Sequence, residues 1–75
     1  MKKYLVLCHY YDDNHHLVNY SVKIVEIEDI LFNDFKKSLS NLCLVYNCTF
    51  NVYSLIDSNL ESILFFNLSG KIYHI

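Results

Sequence analysis

Residues 3–11 read Lys-Tyr-Leu-Val-Leu-Cys-His-Tyr-Tyr, rich in aromatic and aliphatic types at every position. Both alternations carry apolar groups: Tyr4, Val6, Cys8 and Tyr10 on one, Leu5, Leu7, His9 and Tyr11 on the other. That pattern predicts a strand inside a sheet, with both faces partly covered. Residues 17–27 alternate more cleanly, with Val18, Tyr20, Val22 and Ile24 against Asn19, Ser21 and Lys23. A period of two with one polar side predicts a half-buried antiparallel strand. Asp12-Asp13-Asn14 between the two runs is a turn signal, because short Asx side chains bond their own backbone. The first two strands therefore form a hairpin.

The period changes after Glu28-Asp29, two acids that suit the positive end of a helix dipole. Ile27, Leu31, Phe35, Leu39, Leu42 and Tyr46 recur at spacings of three and four, the mark of an amphipathic helix. Phe32 and Leu44 lie off this stripe. The helix is expected near 29–44, ending by Asn47, a residue that tolerates the left-handed cap conformation. Alternation resumes over 48–56, followed by an Asp57-Ser58-Asn59 turn. Ser58 with Glu61 spells a capping box for one helical turn, whereas Ile63 to Phe66 is strand-like, and both readings stand. Ser69-Gly70 marks a tight turn inside a terminal hairpin of residues 62–68 and 71–75. The expected fold is a two-layer α+β domain over residues 1–75. A mostly antiparallel sheet of four to five strands packs on one helix, in the order β-β-α-β-β-β.

A chain of 75 residues has room for one core only, and folding buries roughly 60–65% of its unfolded surface. With 53% hydrophobic and 19% charged residues, disorder is excluded. Three cysteines cannot all pair, which argues against a disulfide scaffold. The apolar run after Met1-Lys2-Lys3 is too short for a signal core, and no run approaches the ~18 residues of a membrane span. The sequons at Asn19, Asn47 and Asn67 are what an Asn- and Ser-rich chain produces by chance. A reduced, cytoplasmic setting with no membrane partner is the expectation.

Ala, Arg, Gln, Pro and Trp are absent, while Asn occurs eight times and Tyr and Ile seven times each. This bias toward AT-rich codons fits a low-GC bacterium or a phage or mobile element living in one. The missing arginine has a physical consequence: the chain lacks the bidentate fork that grips phosphate and guanine. With a net charge of −2 and six lysines, direct nucleic-acid binding through Lys2, Lys3, Lys36, Lys37 and Lys71 is disfavoured. Eight carboxylates do not make a DNA mimic either.

Cys8, His9, Asp12, Asp13, His15 and His16 cluster near the first turn. They would serve as metal ligands or a hydrolytic group if His9 and His16 met across the hairpin. No Cys-x-x-Cys or His-Glu-x-x-His spacing accompanies them, and no Gly-rich phosphate cradle is present. Cys43 and Cys48 are separated by four residues rather than the two of a redox motif, and read as small buried hydrophobes. No catalytic residue, metal ligand or cofactor is therefore assigned.

The aromatic surplus is the functional signal. Seven tyrosines and five phenylalanines serve one small domain, and a single helix covers one sheet face only. His9, Tyr11, Tyr53 and Tyr73 are the outward candidates for a protein interface. The expected function is a small non-enzymatic protein-binding module. Such a module suits a phage or mobile-element factor that sterically inhibits a host complex, as anti-CRISPR and anti-restriction proteins do. A homodimer through the sheet's second face or an edge strand is a further expectation, and the His/Asp cluster is the alternative.

Overall fold

The computed structural model describes residues 1–75. Five strands, β1 (Lys2–Tyr11), β2 (Leu17–Ile27), β3 (Cys48–Ile56), β4 (Asn59–Phe66) and β5 (Ile72–His74), form one antiparallel sheet in the order β2-β1-β3-β4-β5. A single 3-10 turn (Asp29–Leu31) leads into the one helix, α1 (Phe32–Tyr46). Because β2 and β3 are both antiparallel to β1, they run parallel to each other. The helix is thus a crossover that returns the chain to the far side of β1. The expected α+β order holds.

Helix α1 lies nearest β3 and β4. The core forms between it and one sheet face, from Tyr4, Val6 and Cys8 of β1, Cys48, Phe50 and Val52 of β3, and Leu64 and Phe66 of β4. Leu39 and Cys43 are its fully buried helical members. Tyr4, Phe32 and Phe35 close one end, with ring centroids 5.2–6.3 Å apart. Phe50 meets Phe66 edge to face at 6.2 Å, the arrangement that ring quadrupoles favour.

The helix stripe is rotated from its expected setting. Phe32, Phe35, Leu39 and Cys43 face the sheet, while Leu31 and Tyr46 are exposed. The 3-10 turn advances about 120° per residue rather than 100°. A phase counted continuously from Ile27 through Leu31 is therefore lost before the α-helix begins. Asn47 ends the helix in the left-handed conformation, at φ 51° and ψ 58°. Its Nδ2 donates to the carbonyls of Tyr11 and Asp12, at 2.9 and 3.0 Å. Its own carbonyl accepts from the Tyr11 amide. One residue both terminates the helix and ties it to the end of β1.

Of the two readings at residues 58–61, the strand is the one formed. Ile56 pairs with Asn59, which leaves Asp57-Ser58 as a two-residue hairpin turn with Asp57 at φ 55°. Opposite Val52 and Tyr53 the register shifts and Ile63 is the extra residue, a bulge in β4. The turn from β4 to β5 is built on Asn67, whose Oδ1 accepts from the amides of Ser69 and Lys71. Within it, Gly70 sits at φ 80° against the helix, and the Ser40 hydroxyl donates to its carbonyl.

Candidate protein-binding face

Strand alternation gives the sheet a second face, away from the helix, and its side chains line up in transverse rows set by register. The middle row runs Val22, Leu7, Asn51, Phe65, Tyr73 across all five strands. The row on one side is Ile24, Leu5, Tyr53, Ser62, and on the other Tyr20, His9, Thr49. These rows contain no Lys, Asp or Glu. Lys3 and Glu26 sit in the next row and pair with each other at 3.8 Å, and Lys71 reaches the face at its β5 edge. Phe65 and Tyr73 stack at 6.1 Å, and the Lys71 ammonium lies 5.3 Å from the Tyr73 ring.

No second layer covers this face. Tyr20 is 65% exposed, Ile24 61% and Val22 51%, and Leu60 and Tyr73 are also exposed. Leu5, Leu7, His9, Tyr11, Tyr53, Leu55 and Phe65 are half-buried, and Thr49 is buried.

This corrects the reading of β2. The alternating apolar residues Tyr20, Val22 and Ile24 were expected on the covered side, yet they face solvent. Lys23 and Ser21 lie on the helix side, opposite Val6 and Cys8, and only Val25 and Ile27 of β2 pack against the core. The cause is the position of β1. Both of its faces are apolar, and its more deeply buried one, Tyr4, Val6 and Cys8, fixes which β2 residues lie beneath the helix. The helix leans toward β3 and β4, so little is left to cover β2. A groove of about 310 Å³ remains there, lined by Tyr10, Val25, Phe35, Leu39 and Tyr46 among others.

All four outward candidates occupy the open face or its rim. His9 stands between Tyr20 and Thr49, Tyr53 between Leu5 and Ser62, Tyr73 beside Phe65, and Tyr11 beyond His9 at the end of β1. Sequence reasoning missed Leu5, Leu7, Val22, Ile24 and Phe65, which share this face. Their signal was present as the both-sided apolar pattern of β1.

The histidine cluster does not converge. Asp12 organises the turn, its Oδ1 accepting from the amides of Asn14 and His16, and only His16 approaches it, Nδ1 to Oδ2 at 3.5 Å. The cross-strand partner of His9 is Tyr20, not His16. No three His, Cys, Asp or Glu side chains are grouped to hold a metal ion. Cys8, Cys43 and Cys48 are free thiols buried beneath the helix. Burial pushes the Cys43 thiol up to about 11 and raises Cys48 further. Both are held in the neutral form, the opposite of an activated nucleophile. The widest concavity, about 770 Å³, opens beside Tyr4 and Phe32 at the sheet end. At its mouth Lys2 and Asp29 pair at 3.6 Å in solvent.

Comparison with protein-family models, with curated proteins and with solved structures finds no match to this chain. No helix is long and apolar enough to cross a membrane.

Proposed function

We propose that the chain is a non-enzymatic protein-binding module whose working surface is the open face of its sheet. The observation that carries this reading is the set of three uncharged rows centred on Val22, Leu7, Asn51, Phe65 and Tyr73. Monomeric proteins seldom leave a contiguous apolar patch of several hundred Å² in water, and those that do generally use it. Charge depletion at the centre with tyrosine around it is the composition of an interface core. The backbone beneath is hydrogen-bonded across five strands, so the face docks without ordering a loop, which lowers the entropic cost of association.

The action is steric: a rigid slab occupies a surface that a larger complex needs. Small size and AT-biased composition support a phage or mobile-element factor acting on a host complex, of the anti-CRISPR or anti-restriction type. The test is affinity capture from the cognate host, read by mass spectrometry, with wild type, Tyr53→Asp and the helix-surface control Lys37→Glu. A specific host complex retained by wild type and Lys37→Glu but lost by Tyr53→Asp is the expected result. A capture profile that Tyr53→Asp leaves unchanged overturns the assignment of the face.

A further inference from the structure

The open face presents a definite area and a definite charge pattern, and both bear on what covers it in the free protein. Strands of three to eleven residues, at ~3.3 Å per residue and ~4.8 Å between strands, give a face of roughly 650 Å². A stable interface takes about 800 Å² from each partner, and the smaller, exchangeable ones take less. The alternative meeting place is the unpaired edge of β2. Eleven residues across a sheet ~10 Å thick give only about 350 Å², half as much. Area therefore selects the face over the edge.

Charge selects the partner. A partner of opposite charge needs a charged counterpart, and the three rows offer none. Lys3 and Glu26 already neutralise each other at the rim. Lys71 is the one cation left, at the β5 edge beside Tyr73. A surface whose ions are confined to its rim is compatible with itself, because no rotation about a two-fold axis brings like charges together in its middle. Isologous contacts of this kind form most homodimers.

We infer that the open face is occupied, in the free protein, by the same face of a second copy of this chain. The inference rests on reading that face as a protein-binding surface, and it names the partner. Two sheets stack ~10 Å apart with strands within about 30° of alignment, the usual geometry of a sandwich. Leu7 and Phe65 flank Asn51 at the centre, Val22 and Ile24 extend the apolar contact to the β2 side, and the helices lie outermost. Asn51 in the middle row must keep a hydrogen-bond partner or a bridging water when covered, which weakens the contact. Modest area with one desolvated amide gives a dimer that dissociates readily. Target and second copy then compete for one surface, and the dimer is the resting form.

Sedimentation velocity of the full chain, from low micromolar to near-millimolar concentration, tests this. Wild type is expected to shift from monomer to dimer across that range. Val22→Glu places a carboxylate in the apolar middle row, beside Leu7, twice per dimer and is expected to weaken association at least ~100-fold. Tyr73→Glu, on the strand farthest from β2, is expected to weaken it at least ~10-fold. Lys23→Glu, on the helix side of β2, is expected to leave it unchanged. Far-ultraviolet circular dichroism checks each variant's fold, and Val22 is exposed enough for the substitution to be accommodated.

Three results overturn the inference: a monomer at every concentration, a dimer that survives Val22→Glu, or a dimer broken by Lys23→Glu but not by Tyr73→Glu, which is edge pairing. The two readings fail separately. A monomer whose target capture still depends on Tyr53 removes the dimer and leaves the binding face. A dimer broken by Val22→Glu, with capture unaffected by any face variant, leaves the dimer and removes the proposed function.

Discussion

Gly70→Ala tests how the last turn is held against the helix. An alanine Cβ at this position would stand 2.6 Å from the Ser40 carbonyl oxygen and 2.9 Å from the Ser40 hydroxyl. The hydroxyl can rotate away, but the carbonyl belongs to a helix anchored by Leu39 and Cys43 in the core. The loop must therefore yield, at a cost typical of overpacking, about 1–3 kcal/mol. The φ of +80° adds about 1 kcal/mol for a residue with a Cβ. Displacing the loop also breaks the bond from the Ser40 hydroxyl to the Gly70 carbonyl, worth about 1 kcal/mol. The total is about 3–5 kcal/mol. A chain of 75 residues has about 4–11 kcal/mol in all. Urea unfolding followed by circular dichroism should show the midpoint falling by about 3–5 M at a slope near 1 kcal/mol/M. Gly70→Asn separates the contributions, since asparagine accepts positive φ but carries the same Cβ. Ser40→Ala isolates the hydrogen bond and should lose about 1 kcal/mol. If Gly70→Asn is as stable as wild type, or Gly70→Ala loses under about 1 kcal/mol, the close approach is not what requires glycine.

Asn47→Ala forfeits two hydrogen bonds and the tolerance for left-handed backbone, and should cost about 2–3 kcal/mol in the same unfolding assay. Asn47→Gly keeps the conformation and should recover about 1 kcal/mol of that; equal losses for both would refute the conformational part. The buried thiols make stability fall in alkali. Cys43 ionises near its ordinary 9.0 when unfolded but only near about 11 when folded, so the folded state holds more protons in between. Its contribution is complete below pH 9 and is lost as pH rises toward about 11. Unfolding midpoints measured from pH 8 upward should decline over this window and do so less in Cys43→Ser, and a flat profile refutes it. In the native protein at pH 8, thiol reagents should label all three cysteines no faster than the chain opens.

Much of the fold was legible because local chemistry and topology agree. Asp12 folds the first turn with its own carboxylate, Asn47 supplies the left-handed cap, and Gly70 marks the last turn. The errors arise where tertiary context decides. The Ser58/Glu61 capping box lost to the pairing of Leu60 with Leu55 and of Glu61 with Ser54. The helix phase slipped at the 3-10 turn, although Cys43, read as a small buried hydrophobe, is fully buried. The apolar stripe of β2 was read as core because alternation reveals that a strand has two unlike sides, not which side the helix takes. That choice depends on β1, through a register no local pattern records. His9, Tyr11, Tyr53 and Tyr73 were found by counting rings against available cover, whereas the aliphatic centre between them was not.

The first of the five strands in chain order, β1, lies in the interior of the sheet, between β2 and β3. Before the later strands join, β2 is the only sheet partner β1 has. Its other hydrogen-bonding edge waits for β3, 38 to 52 residues downstream by the Tyr10–Cys48 and Lys3–Leu55 pairs, and its oily underside waits for the helix. An early hairpin with one naked edge and two greasy sides is prone to stick to whatever is nearby. Docking of β3 and the helix onto it is therefore the folding step that ends the hazard.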